Sequence, residues 1–264
     1  MSKLCILGSD KRSEFLRKKY LNEQVQLYHY SDADFIICPI PFTRDNVYIN
    51  SEMIKIDEII FSLKKKGGSF LITGGLNNEC KERLERNNIN YIDIMESERF
   101  LINNSLATAE GTIKVIMENT DRTLKGDNVL IIGFGRIGKE LARLLKCFGA
   151  NVTVIARREE VINEIVNEGY NASYITDLKD IITKQNVIIN TAPAIILNSS
   201  LLDLVNKSAL IVDVASKPGG VDYMHAEKLG LRVIWELGIP SKYSPDSASD
   251  FVKEEVDEII AKYE

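Results

Sequence analysis

The sequence predicts an α/β chain of two doubly wound domains, and three observations carry that expectation. Short apolar runs alternate with helical patterns almost throughout its 264 residues, the signature of parallel sheets covered by helices. A helical stretch at 108–120 interrupts the series and a second series follows it. That second series opens on an apolar run, a glycine-rich turn and another helical pattern, the opening of a Rossmann domain. The expected organisation is a flavodoxin-like domain at 1–106, a Rossmann domain at 107–246 that includes the linking helix, and a C-terminal helix at 247–264 that packs back on the first domain.

In the first part, strands are expected at 4–7, 25–28, 35–38, 70–73 and 91–94, with helices at 13–20, 53–66 and 78–88. The second of these helices carries Ile56, Ile59, Ile60 and Leu63 at helical spacing, then stops at Lys64-Lys65-Lys66-Gly67-Gly68; basic residues followed by glycine end a helix. In the second part, strands are expected at 129–132, 152–155, 172–175, 187–190, 210–214 and 233–235. Phe251, Val252, Val256, Ile259 and Ile260 give the last stretch an apolar side.

Composition narrows the function. A net charge of -5 argues against general nucleic-acid binding, which needs a basic footprint. The first apolar run is too short for a signal peptide and no run reaches membrane-spanning length. Cys5, Cys38, Cys80 and Cys147 are scattered without a CxxC pair, as expected of free thiols in the cytoplasm. With only His29 and His225, an imidazole-based metal site or a Ser-His-Asp hydrolase is hard to build, and no metal is expected.

The strongest motif is Gly133-Phe134-Gly135-Arg136-Ile137-Gly138, directly after an apolar strand and opening a helix rich in Leu141, Ala142, Leu144 and Leu145. In a dinucleotide site the first glycine makes the turn, the second lets the backbone approach the pyrophosphate and the third packs helix on strand. The helix dipole and exposed N–H groups then hold phosphate. The next strand ends in Ala156-Arg157-Arg158-Glu159-Glu160, where an NAD enzyme carries an acid for the ribose. Arg157 and Arg158 suit a 2′-phosphate, so NADP is the expected cofactor; the alternative is a solvated helix start with Glu159 as the ribose ligand. Thr191, Ala192 and Pro193 after one strand, and Ser216 after another, are expected to line the nicotinamide side, at carboxyl ends of strands where open α/β sheets bind ligands.

At this point the chain resembles the dipicolinate synthase A-subunit family, sporulation enzymes of endospore-forming bacteria. The resemblance rests on Gly8-Ser9-Asp10-Lys11-Arg12, on Ala107-Thr108-Ala109-Glu110-Gly111-Thr112 and on the glycine motif. It continues through Gly149-Ala150-Asn151-Val152, Ile189-Asn190-Thr191-Ala192-Pro193, Val214-Ala215-Ser216-Lys217-Pro218-Gly219-Gly220-Val221-Asp222 and Tyr243-Ser244-Pro245-Asp246-Ser247-Ala248. It departs at Pro240-Ser241-Lys242, where a Pro-Gly turn is expected, and at Ser249, where glycine is expected. The resemblance implies oxidation of a dihydrodipicolinate-type dicarboxylate with NADP+, alongside a flavoprotein-like B subunit. A homo-oligomer is also expected.

Such a reaction needs cations for two carboxylates and a base for a ring proton. Lys217 and Arg12 are the candidate cations, with Lys242 in reserve. Glu110 or Asp213 is the candidate base. Thr108 either contacts substrate or caps the linking helix, and Glu110 either acts on substrate or braces that helix near its N-terminus. Two other readings stay open: an NADP-dependent 2-hydroxy-acid dehydrogenase, which the shortage of histidines disfavours, and a non-catalytic NADP-binding subunit.

Overall fold

The structure, a computed structural model, describes residues 2–263. In chain order the elements are β1 (Leu4–Ile6), α1 (Lys11–Asn22), β2 (Phe35–Ile37), α2 (Ile56–Lys66), β3 (Phe70–Thr73), α3 (Asn78–Arg86), β4 (Asn90–Asp93) and α4 (Glu98–Glu118). Then come β5 (Asn128–Ile132), α5 (Arg136–Cys147), β6 (Asn151–Ala156), α6 (Glu159–Asn167), β7 (Asn171–Tyr174), α7 (Leu178–Ile181) and β8 (Val187–Asn190). The chain closes with α8 (Ser199–Leu202), β9 (Leu210–Asp213), α9 (Tyr223–Lys228), β10 (Arg232–Trp235), α10 (Ile239–Tyr243) and α11 (Pro245–Tyr263). Two units form: Met1–Asn104 with Pro240–Glu264, and Ser105–Ile239.

In the first unit four parallel strands lie in the order β1-β2-β3-β4. The central strands are apolar on both faces, so each face needs a cover. One face meets Ile56, Ile59, Ile60 and Leu63 of α2 and Cys80 and Leu84 of α3. The other packs on Leu16 and Tyr20 of α1 and Val252 and Val256 of α11. The C-terminal helix thus returns to the first sheet. Tyr20 Oη donates to Asp257 at 2.7 Å, and Arg99 reaches Glu255 at 2.8 Å.

Two sequence expectations need correction here. Residues 25–28 form no strand: Leu27 makes a single parallel bridge with Leu4, and Tyr28 N–H donates to the Leu4 carbonyl. Val25 and Leu27 are only half-buried, so at this sheet edge the alternating pattern gives one bridge rather than a ladder. The linking helix begins well before 108. Ser97 Oγ accepts from Phe100 N–H at 3.3 Å, and Glu98 follows in the first turn, so the start signal is Ser97-Glu98. Asn103, Asn104 and Ser105, which look like a break in the sequence, are helical.

In the second unit six parallel strands run β10-β9-β8-β5-β6-β7. The strand order reverses between β5 and β8, the topological switch point of a doubly wound sheet, where ligands bind at the carboxyl ends. One face buries Leu130, Ile132, Ile188 and Ile211 among Leu178, Leu202 and Ala226. On α5, Leu141, Ala142 and Leu145 are fully buried. Three of the four thiols are buried; burial pushes Cys5 up to about 12 and Cys38 well above its ordinary value, so neither offers a thiolate.

Because Val256 has no exposed surface, Val256→Ala is expected to lower stability by about 2 kcal/mol in urea unfolding. The same variant should leave ligand binding by the second unit unchanged.

Candidate active site

The glycine motif sits at the switch point. Gly133 follows β5 with φ +102, a conformation that L side chains rarely adopt. Its N–H donates to the Ile155 carbonyl of β6 at 3.0 Å. A Cβ on Gly138 would collide with the Gly133 carbonyl, so only glycine lets α5 start this close to the turn. Gly135, at the N-cap position of α5, has extended backbone and makes no side-chain cap. Nothing lies within 4 Å of where its Cβ would be. The result is a 12-residue helix whose start has no side-chain cap and open space beside Gly135, a fit for the pyrophosphate of a dinucleotide.

The helix at the corresponding place in the first unit behaves differently. Asp10 caps α1, accepting from Arg12 N–H at 3.0 Å and Ser13 N–H at 3.2 Å. Burial works against its ionisation, but the Arg12 charge and the hydrogen bonds from Ser241 and Ser13 hold the carboxyl below its ordinary value. The chain's own anion therefore occupies that helix start. Among the first helices of the two sheets, α5 is the one left open.

Around the open turn the structure gathers several of the expected residues. Arg136 and Ile137 form the first turn of α5. The Phe134 side chain turns inward, edge-on to Tyr170 with ring centroids 6.2 Å apart, so this residue offers its backbone to a ligand. Thr191, after β8, donates to the Ile132 carbonyl through both its N–H, at 3.0 Å, and its Oγ1, at 2.9 Å. A Cβ on Gly133 would meet that Oγ1 at 2.5 Å. Ala192 and Pro193 continue the strand-end loop and are half-buried and exposed respectively. Arg157 and Arg158 follow β6 and are exposed, and neither has an ion-pair partner among the described residues. Arg158 occupies the N-cap position of α6 without a side-chain cap, and Glu159 and Glu160 lie in the first turn.

The loop after β9 exposes Ser216, Lys217 and Pro218. Lys217 has no ion pair among the described residues. Asp213, expected as a possible base, is corrected: it has no exposed surface, and both oxygens are saturated. Oδ1 accepts from Asn190 Nδ2 at 2.9 Å and Ala215 N–H at 3.0 Å; Oδ2 accepts from Gly220 N–H and Tyr223 Oη, each at 2.6 Å. Burial, and then the bond to Asp213, push the Tyr223 phenol well above its ordinary value, so it remains a donor. The sequence places Asn190 at a strand end with Thr191, but shows neither its bond to Asp213 nor that of Tyr223. The available signal was a polar residue closing each of two adjacent apolar strands, and Asn190 and Asp213 are register partners.

The other candidates are placed as follows. Thr108 lies well inside α4 and is buried, so its capping role is overturned; its carbonyl accepts from Thr112 Oγ1 at 2.7 Å. Glu110 is exposed on the same helix, too far from the start for the dipole to act on it. Arg12 is buried in the first unit, with Nη2 donating to the Ile40 carbonyl at 2.7 Å, and burial lowers its pKa against the pull of Asp10. Lys242 lies on α10 and has an interaction of its own. Both serines at the departures from the family pattern are engaged. Ser241 Oγ donates to Asp10 at 2.8 Å, and Ser249 Oγ donates to the Asp246 carbonyl at 2.6 Å. His29 bonds Ser31 and His225 pairs with Asp203; neither touches a strand-end residue of the switch point.

Fold and turn together define an oxidoreductase-type Rossmann unit. Residues 90–218 match the D-isomer specific 2-hydroxyacid dehydrogenase NAD binding domain. Residues 3–95 match the N-terminal domain of the dipicolinate synthase A subunit. Over nearly its whole length the chain is strongly similar to that A subunit. The Bacillus subtilis protein is 27% identical across 98% of this chain and 96% of its own. The crystal structure of the dipicolinate synthase A subunit from Bacillus halodurans superposes with a TM-score of 0.88 at 25% identity, covering 98% of each chain. That of the Bacillus subtilis protein gives 0.86 at 25% identity, covering 99% of this chain and 96% of the other. Among the described residues, no helix is long and apolar enough to cross a membrane.

The glycine environments separate folding from binding. Gly135→Ala is expected to keep the melting temperature within about 3 °C while weakening dinucleotide binding about tenfold or more, read by calorimetric titration. Gly138→Ala should cost roughly 2 kcal/mol or more of stability as well, because its Cβ meets backbone.

Proposed function

We propose that the chain oxidises a dihydrodipicolinate-type cyclic dicarboxylate to pyridine-2,6-dicarboxylate, with NADP+ as hydride acceptor. One observation carries the cofactor reading: the open start of α5 lies on β5, and the neighbouring strand β6 ends in two exposed, unpaired arginines where an NAD enzyme needs an acid. A 2′-phosphate suits two guanidinium groups, which offer charge-assisted, bidentate hydrogen bonds. The names of the relatives support the product, and their designation as one lettered component of a synthase supports a partner subunit. We take that partner to be flavoprotein-like and this chain to self-associate in the cytoplasm.

A bound nicotinamide would supply the hydride acceptor for the ring. The chain's own residues do the rest. Lys217, exposed and unpaired after β9, is the cation for a substrate carboxylate. Thr191, Ala192, Pro193 and Ser216 line the nicotinamide side, whereas Arg12, buried and engaged with the Ile40 carbonyl, is not assigned to the substrate. With Asp213 saturated, Glu110 remains the candidate acceptor for the ring proton. Loss of one hydride and one proton makes the ring aromatic, which supplies the driving force.

A second reading, a 2-hydroxy-acid dehydrogenase, draws support from the matching NAD binding domain. It normally relies on a histidine acid–base, and both histidines bond elsewhere.

The test supplies the freshly made product of dihydrodipicolinate synthase to wild type and to Arg157→Ala/Arg158→Ala, with NADP+ or NAD+, and with and without the partner subunit. Pyridine absorbance should rise together with NADPH in wild type. The double variant should lose at least about tenfold more affinity for NADP+ than for NAD+. Equal losses would defeat the arginine assignment; no pyridine signal under any condition would defeat the substrate assignment.

A further inference from the structure

Asp213 is a fully buried charge held only by neutral donors: Asn190, Ala215, Gly220 and Tyr223. No cation pairs with it among the described residues. Burying a carboxylate this way is unfavourable, and an apolar set of similar volume would fill such a core at lower free energy. What the carboxylate holds is therefore informative. Its two main-chain donors, Ala215 and Gly220, bracket residues 216–219, so one side chain closes both ends of that loop. Ser216, Lys217 and Pro218 are its exposed members, and Gly219 N–H turns back onto the Ser216 carbonyl at 2.9 Å. Asn190 extends the tie to the loop after β8, donating to the Ala192 carbonyl as well, at 2.9 Å.

Trp235 braces the same loop from β10. Its indole N–H donates to the Ala215 carbonyl at 2.9 Å, and its ring stacks on Tyr223 with centroids 5.0 Å apart and planes 18° from parallel. It is the only tryptophan in the chain, so its emission reports on this loop alone.

We propose that Asp213 is a positioning residue, set by Tyr223, that holds the 216–218 loop in one conformation and so presents Lys217 to a carboxylate of the ligand. The ligand class, a cyclic dicarboxylate, rests on the function proposed above. Tyr223→Phe probes the arrangement with least disturbance: it removes one hydroxyl and keeps the stack on Trp235.

The experiment titrates full-length wild type, Tyr223→Phe, Lys217→Gln and the double variant with pyridine-2,6-dicarboxylate and, separately, with NADP+, following Trp235 emission and checking the affinities by calorimetry. Wild type should show a saturable change with the dicarboxylate. Tyr223→Phe should weaken the dicarboxylate about tenfold, and NADP+ less than about twofold, while the melting temperature falls by roughly 3–10 °C because a buried carboxylate loses one of its four donors. In the Lys217→Gln background the same substitution should change nothing further, because Tyr223 acts through Lys217. An undiminished Tyr223 effect in that background, equal weakening of both ligands, or no weakening would each overturn the positioning role. If wild type binds the dicarboxylate and Tyr223→Phe binds it equally well, positioning fails while the functional reading stands. If wild type binds NADP+ but not the dicarboxylate, the substrate class is wrong and the positioning role falls with it.

Discussion

The contact between Gly138 and the Gly133 carbonyl is the constraint on which the second unit turns. A side chain on Gly138 would push α5 off β5. With glycine there, the helix begins immediately after the strand, and its uncapped N–H groups stand over the switch point between β5 and β8. The helix dipole then favours an anion at that place. Arg157 follows β6, Thr191 follows β8 and Lys217 follows β9, all at carboxyl ends of strands of the same parallel sheet, where open α/β sheets bind ligands.

The first sheet shows how the same architecture is turned to a different end. Its first helix also follows a strand through a glycine-containing turn, yet Asp10 fills the helix start. Ser241 and Ser13 add hydrogen bonds to that carboxylate, and Arg12 adds charge. An external phosphate would meet an anion there. At the N-cap position the first helix start carries aspartate and the second carries glycine, so only the first is filled by an anion of the chain itself.

Much of this was legible in the residues. Parallel strands buried on both faces read as apolar runs, and the glycine motif is local, so its turn, strand and helix all lie within one short window. The flavodoxin-like reading survives because Leu27 still bridges Leu4, although residues 25–28 do not make a strand. Long-range features were less legible. The start of α4 was hidden because Asn103, Asn104 and Ser105 resemble a break, while the true cap, Ser97, sits farther upstream. Asp213 looked like a free carboxylate because nothing in the local sequence shows that Asn190, 23 positions earlier, donates to it. Ser241 stands where the family pattern has a Pro-Gly turn, and its partner Asp10 lies 231 positions away.

The most direct test of the account is a crystal structure of the full chain with NADP+ bound. It should place the pyrophosphate over Gly135 at the start of α5 and the 2′-phosphate against Arg157 and Arg158. A 2′-phosphate turned to solvent with Glu159 on the ribose, or a dinucleotide lodged away from the β5–α5 turn, would contradict it.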